Sequence, residues 1–300
     1  MITTDQIERW LREDVGHHDV TNQVPGETTG QLVAKEAGVA AGIGAASGVF
    51  DYLGVSVTER VTDGTDVAVG DALLCVEGPA GQVLRGERVA VNLAGHASGI
   101  ATRTRRAVDA AHEAVAESMT DGIDTSSDGS DSASPGVKGR GEACPRIAAT
   151  RKTTPGLRGL EKRAVVAGGG DTHRLDLSHM VMVKDNHIAE LGLEGAIDHF
   201  SERVSFATKI EVEVESVADA PRAAGAGADI VLLDNMAPET VAEAVDHLRS
   251  DGHEGVLTEA SGGIGIDDVP AYATTGVDVI SMGSLTHSAP SLDLSFRTGE

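Results

Sequence analysis

Apolar positions along the chain follow two different periods. Residues 3–13 place Ile7, Trp10 and Leu11 on one face of a short helix, the three-to-four spacing of an amphipathic segment. A strand is expected within TTGQLVAKEAGVAAG (28–42), and further strands in VSVTERV (55–61) and ALLCVEG (72–78). Residues 85–116 read as a long helix, with Val89, Leu93, Ala97 and Ile100 near helical spacing. Together these predict an α+β N-terminal domain. The pattern breaks at 117–145, ESMTDGIDTSSDGSDSASPGVKGRGEACP, where six acids, six serines and five glycines leave almost no apolar residue. Such a segment cannot bury enough surface to offset its ordering entropy, and a mobile acidic loop is expected. Beyond it strands and helices alternate. Strand ends fall at 147–150, 180–184, 209–214, 229–234, 255–261 and 277–283, with helical stretches at 156–168, 193–203, 216–226, 238–250 and 266–274. Six successive βα units predict a parallel sheet closed into an α/β barrel. The expected domains are therefore 1–116, with a C-terminal tail that could return to it, the loop 117–145, and a barrel over 146–300. No GxGxxG follows the first barrel strand, which weakens a dinucleotide fold.

Composition narrows the partners. A hydrophobic content of 40% supports a real core and argues against global disorder. With 24 Lys+Arg against 47 Asp+Glu the net charge is −23, so nucleic acid and anionic membranes are not expected partners. Two cysteines, Cys75 and Cys144, make no disulfide framework. The N-terminus MITTDQIERW lacks the apolar stretch of a signal peptide, and no run of apolar residues is long enough for a membrane span. A cytoplasmic protein is expected. Only six lysines are present, and an acidic, lysine-poor surface is a halophile's route to solubility in strong salt. One region departs from this balance. Residues 146–184 hold eight basic residues against three acidic ones, and a cationic island in an acidic chain suits an anionic client. Arg158, Lys162 and Arg163 fit a solvated helix face; Arg151, Lys152, Arg174 and Lys184 fall outside that helical pattern.

The unusual polar residues fall at the C-terminal ends of the expected barrel strands, where such barrels carry active sites. Arg151-Lys152 follow the first strand and Lys184-Asp185-Asn186-His187 end the second. Glu213 lies in the third, Asp234-Asn235 end the fourth, Ser261-Gly262-Gly263 follow the fifth, and Gly283-Ser284 follow the sixth. SGGI and MGSLTHS offer free backbone N–H groups leading into helix N-termini, a cradle for phosphate; a plain Gly-Gly turn is the blander reading. Glu211, Glu213 and Glu215 share one strand face. Glu213 and Asp234, on neighbouring strands, could hold a divalent metal with diphosphate or stabilise a cationic sugar; salt bridges to Lys152 and Lys184 are compatible with both. His17, His18, His173, His179 and His187 lack the spacing and thiolates of a structural zinc site. Fixed cations, two carboxylates and a phosphate cradle fit phosphoribosyl transfer from a diphosphate-activated sugar to an anionic acceptor. A Schiff-base aldolase using Lys184 and a non-catalytic phosphate-ligand binding protein are the competing classes. Neither hydride transfer nor a G-x-S-x-G nucleophile elbow is indicated.

At these residues the sequence resembles the quinolinate phosphoribosyltransferase (decarboxylating) family, also called nicotinate-nucleotide pyrophosphorylase (carboxylating). The matching segments are EDVGHHDVT (13–21), ERVAVNLAGHASGIAT (87–102), ATRKTTPGLRGLEKRAVVAGGGDTHRLDLSHMVMVKDNHI (149–188), EVEVES (211–216), VLLDNM (231–236), EASGGI (259–264) and GVDVISMGSLTHS (276–288). The resemblance spans nearly the whole chain except 117–145. It implies an N-terminal α/β sandwich, a C-terminal α/β barrel, and conversion of quinolinate and phosphoribosyl diphosphate to nicotinate mononucleotide, diphosphate and CO₂ with Mg²⁺. Carried over, Arg151, His173, Arg174 and Lys184 would contact quinolinate, and Arg88 would reach it from the neighbouring subunit of a homodimer or larger assembly. Lys152, Lys184, Glu213 and Asp234 would handle ribose and diphosphate, with Lys152, Glu213 and Asp234 as the catalytic set. Ser261, Gly262, Gly263, Gly283, Ser284 and His287 would hold the phosphoribosyl diphosphate. A paralogue acting on another small acid, or tied to molybdenum transport, is the alternative within the same fold.

Overall fold

The computed structural model describes residues 2–121 and 144–299. In chain order the first elements are α1 (Thr4–Val15), β1 (Glu27–Ala34), β2 (Gly38–Val39), α2 (Ile43–Tyr52), β3 (Ser56–Arg60), β4 (Asp66–Val67), β5 (Ala72–Pro79) and α3 (Ala80–Asp121). Then follow β6 (Arg146–Ala149), α4 (Arg158–Ala167), β7 (Val181–Val183), α5 (Asp185–Leu191), α6 (Leu193–Ser201), β8 (Ile210–Val214), α7 (Asp219–Gly225), β9 (Ile230–Asp234) and α8 (Pro238–Ser250). The remainder comprises β10 (Leu257–Ser261), a 3₁₀ turn at Ile266–Asp268, α9 (Val269–Ala273), β11 (Val279–Met282), α10 (Ser284–His287) and β12 (Leu294–Thr298). Two compact units are interleaved along this order. One consists of Met1–Arg105, Lys152–Thr172 and Leu285–Glu300; the other of Arg106–Arg151 and His173–Ser284. This division differs from the expected 1–116 and 146–300, because α4 and the residues from Leu285 onward pack with the first unit. The loop expected at 117–145 lies largely outside the described residues; its first five residues continue α3 as far as Asp121.

The first unit is an antiparallel sheet in the order β12-β1-β5-β3, with β2 and β4 as a separate pair. α1 opens on a capping box. The Thr3 hydroxyl accepts from the Gln6 N–H and the Gln6 side chain accepts from the Thr3 N–H, so two orphan donors are satisfied reciprocally. One core holds Leu32, Leu73, Leu74 and Val76 of the sheet, Ile43, Ala46 and Phe50 of α2, and Val83, Ala90 and Ala94 of α3. Helices on one face of an antiparallel sheet make the expected α/β sandwich. The segment after α1 is tied down by Asp19, whose carboxylate accepts from the Thr21 and Asn22 N–H groups and from Arg85. Those hydrogen bonds hold its pKa below the usual carboxylate range. The tail returns to this unit: β12 pairs antiparallel with β1, Leu32 facing Phe296. A Cβ at Gly99 would stand 1.9 Å from the Pro290 carbonyl oxygen, so only glycine lets α3 lie against that tail. α4 corrects one expectation. Lys162 is buried at 2% exposure and donates to the Thr172 carbonyl, so it is not part of a solvated face.

The second unit is a six-stranded parallel sheet in the order β6-β11-β10-β9-β8-β7, each neighbouring pair parallel. Read from β7, consecutive strands are neighbours, and β6 closes the series beside β11. That is the strand order of a barrel. The ladder stops at β6 and β7, which are not paired among the described residues. Of the chain between those two strands, Lys152–Thr172 belongs to the first unit. Strands buried on both faces should read as apolar runs, as IVLLD of β9 does. β8 breaks that rule with Glu211, fully buried.

Candidate active site

The C-terminal ends of β6 to β11 bring several predicted residues together within the second unit. Arg151 follows β6, Lys184 ends the β7 segment, Glu213 lies in β8 and Asp234 ends β9. The Lys184 ammonium pairs with the Glu213 carboxylate, so this cation and carboxylate are preassembled. The Lys184 N–H donates to His187 Nδ1 at 3.0 Å, which fixes the entry into α5. His187 is thereby a structural cap.

Arg174 is buried at 8% exposure and donates to the Met182 sulfur at 2.9 Å. Burial and the like charge of Arg151 lower its pKa; the nearby Glu211, Glu213 and Glu259 oppose them. Two guanidinium groups close enough to repel one another suit anionic carboxylates, which each fork can grip in bidentate fashion. His173, one residue earlier, adopts a left-handed backbone with φ of 51°, a strained conformation for a non-glycine residue that persists where its surroundings over-determine it. Its Nε2 lies 3.0 Å from Glu259 and 3.4 Å from Glu211. Burial works against the charged ring, but contact with these two carboxylates pushes its pKa up to about 10. Burial, with Glu259 close by, drives the Glu211 carboxyl up to about 7. Glu259 is the residue that sequence reasoning missed. Its only signal was a carboxylate inside an otherwise buried strand, LTEAS.

The loops expected to cradle phosphate depart from expectation in one respect. The elements after SGGI and MGS are a 3₁₀ turn of three residues and a helix of four, too short for a large helix dipole. The Gly265 N–H already donates to Asp268 at 2.9 Å. What the loops offer is glycine geometry. Gly262 has φ of 99° and Gly263 φ of 64°. A Cβ on Gly262 would meet Asn235 Oδ1 at 2.3 Å. The Asn235 N–H donates to the Ser261 carbonyl at 2.9 Å and the Asn235 side chain donates to Asp234 at 2.6 Å. Asp234 and the Ser261-Gly262-Gly263 turn are therefore one braced piece. Ser284 Oγ donates to the Ile264 carbonyl at 3.4 Å, tying Gly283-Ser284 to the same turn.

Lys152, His287 and Arg88 belong to the first unit. The Lys152 carbonyl accepts from Thr286 at 2.6 Å. Two residues on, the Thr154 N–H donates to the buried Glu161 carboxylate, which also contacts His96 at 2.9 Å. Burial alone would raise Glu161, but these partners hold it below its ordinary value. His96 and Thr154 line a cavity of about 450 Å³ with Trp10, Glu13, Asp14 and Asn92. Arg88 is exposed and pairs with Glu87; His287 is exposed beside Ser288.

Comparison with known proteins defines the class. Residues 137–297 match the quinolinate phosphoribosyl transferase C-terminal domain and residues 18–98 its N-terminal domain. The chain belongs to the quinolinate phosphoribosyl transferase family. It is 43% identical over 299 residues to a probable nicotinate-nucleotide pyrophosphorylase [carboxylating] of Methanothermobacter thermautotrophicus, covering 98% of both chains. It is 38% identical to the human nicotinate-nucleotide pyrophosphorylase [carboxylating], covering 97% of this chain and 90% of that protein. The crystal structure of NadC from Streptococcus pyogenes superposes with a TM-score of 0.82 at 36% identity, covering 98% of this chain and 95% of that one. No helix among the described residues is long and apolar enough to cross a membrane.

Proposed function

We propose that this chain transfers the phosphoribosyl group of phosphoribosyl diphosphate to the ring nitrogen of quinolinate, with release of diphosphate and CO₂, to give nicotinate mononucleotide for NAD biosynthesis. The observation that carries the reading is the cluster in which Arg174 lies close to both Arg151 and Glu213 while Lys184 pairs with Glu213. Quinolinate is a dicarboxylate, and two guanidinium forks with a lysine match it better than they match one carboxylate.

Binding and chemistry then divide along the strand ends. Arg151, Arg174, His173 and Lys184 orient the acceptor ring. The Ser261-Gly262-Gly263 turn, Gly283 and Ser284 take the 5′-phosphate. As the glycosidic bond to diphosphate breaks, positive charge develops on the ribose, and Glu213 and Asp234 stabilise it electrostatically. The ring nitrogen becomes a pyridinium once ribosylated, and its positive charge stabilises the electron pair that stays on C2 as the carboxylate leaves as CO₂. Loss of CO₂ then needs little beyond positioning, and a proton replaces it at C2. Glu213 and Asp234 are hard oxygen donors on paired strands, a donor set that suits Mg²⁺ when diphosphate oxygens complete its shell. Bound there, Mg²⁺ would neutralise the leaving diphosphate.

Arg88 is exposed on α3, away from the barrel strand ends in sequence. In this reading it completes the quinolinate site of a partner subunit in a homodimer or larger assembly, in a cytoplasmic enzyme. A Schiff-base role for Lys184 is disfavoured by its ion pair with Glu213, which commits the side chain to a carboxylate. Incubation with quinolinate, phosphoribosyl diphosphate and Mg²⁺ should yield nicotinate mononucleotide and CO₂ in equal amounts, with nicotinate a poor acceptor. Comparable turnover of nicotinate would refute the two-carboxylate argument.

A further inference from the structure

We propose that Glu211 and Glu259 are positioning residues that lock His173 as a permanent imidazolium, so that the site presents a fixed cation to the dicarboxylate across the working pH range. The inference rests on the reading of the site as a quinolinate site.

The geometry is a closed arrangement. Glu211 lies on β8 and Glu259 on β10, the two strands that flank β9. Side chains from alternate strands share a layer inside such a sheet, and these two carboxylates approach the same imidazole nitrogen from opposite sides of β9. Glu211 is 0% and Glu259 2% exposed, and the His173 side chain is 10% exposed. Neither oxygen of Glu211 accepts a hydrogen bond of normal geometry. Two carboxyl groups buried this completely are costly to ionise unless a cation compensates them. The His173 ring lies 3.0 Å and 3.4 Å from them, within ion-pair reach of both. The other charges in this neighbourhood are Arg174 beside it in sequence, Arg151 at the end of β6, and Glu213 two residues beyond Glu211.

A lone histidine titrates near pH 6.5 and would lose its charge in the physiological range. Held by two buried acidic side chains at Nε2, the ring keeps its charge. The strained backbone of His173 fits a residue placed by these contacts rather than by local preference.

The experiment has two arms. In the first, ¹⁵N-histidine-labelled full-length protein is examined by NMR at pH 8, with His173 assigned by its loss in His173→Gln. Imidazolium nitrogen shifts are expected; a neutral ring overturns the proposal, as does a metal ion bound at one equivalent through His173. In the second, the KM for quinolinate is measured from pH 6 to 8.5 in wild type and Glu259→Gln. With one carboxylate gone, His173 should titrate near neutrality. The ratio of variant to wild-type KM should then rise about tenfold by pH 8.5, with kcat and the KM for phosphoribosyl diphosphate nearly unchanged. Glu259→Asp, which keeps a carboxylate, should restore a flat profile. A ratio independent of pH overturns the proposal. If Glu259→Gln does not fold, the wild-type spectrum decides alone. A wild-type protein that ignores quinolinate sinks the functional reading, whereas one that uses quinolinate with a neutral His173 sinks only this inference.

Discussion

Gly262 and Gly263 both have positive φ, yet their surroundings differ, and that difference predicts opposite kinetic outcomes for one added methyl group. In Gly262→Ala the new Cβ would lie 2.3 Å from Asn235 Oδ1 and 2.6 Å from the Asn235 backbone nitrogen. Neither distance is tolerable, so the ends of β9 and β10 must part. The hydrogen bond from the Asn235 N–H to Ser261 is then lost, at about 1 kcal/mol, and φ of 99° adds about 1–3 kcal/mol of backbone strain. Asp234 moves with Asn235, because the two side chains are hydrogen-bonded. A displacement of about 1 Å in a positioned group costs on the order of 100-fold in rate, so kcat/KM for phosphoribosyl diphosphate should fall by about that factor. In Gly263→Ala nothing lies within 4 Å of the new Cβ, and φ of 64° is a left-handed conformation costing about 1–2 kcal/mol. That variant should melt a few degrees lower and keep kcat/KM within about threefold of wild type. Steady-state kinetics with phosphoribosyl diphosphate varied, beside thermal melts of both proteins, separate clash from strain. Equal impairment of the two variants, or a Gly262→Ala enzyme with wild-type kinetics, would refute the braced turn.

Three further outcomes follow from the site. Glu213→Gln removes the partner of Lys184 and the charge opposite the developing sugar cation; kcat should fall by about 100-fold or more with a smaller change in KM, and unchanged kcat would take Glu213 out of the mechanism. The pKa of His173 rises from 6.5 to about 10 on folding, so its contribution to stability is full below pH 6.5 and is lost as pH rises through 10. Thermal melts from pH 6 to 10 should show an alkaline decline that is shallower in His173→Gln. Mixing inactive Arg88→Ala with inactive Glu213→Ala should restore about a quarter of wild-type activity if Arg88 serves its partner's site, whereas verified subunit exchange with no recovery would place it elsewhere.

The fold was legible where periodicity was strong, and the candidate residues were legible where polar groups followed apolar strands. All six parallel strands and the long helix α3 stood out in the sequence for that reason. α2 did not, because IGAASGVFDY is small and buried on nearly every side, which leaves no amphipathic stripe to detect. β12 did not either, because LSFRT carries only two apolar residues and its partner β1 lies more than 250 residues away. The burial of Lys162 and the convergence of Glu211 and Glu259 on His173 were invisible for a related reason. Each depends on which distant strands become neighbours, and alternation along one strand gives a side chain's face but not what faces it.

Interleaving of the two units sets the order in which the protein can be completed as it leaves the ribosome. β1 pairs with β5 on one side and with β12 on the other. About 260 residues separate β1 from β12 (294 − 34), which at about 5–20 residues per second means on the order of 13–50 s of synthesis. During that interval the nascent β1 presents an open edge, the kind of surface that recruits foreign strands. Every strand of the second unit is made before β12 emerges, so the parallel sheet can be finished first, although the antiparallel one begins earlier. A premature stop after Ser284 would thus spare the strands that carry Glu213 and Asp234 and strike the sheet at the opposite end of the sequence.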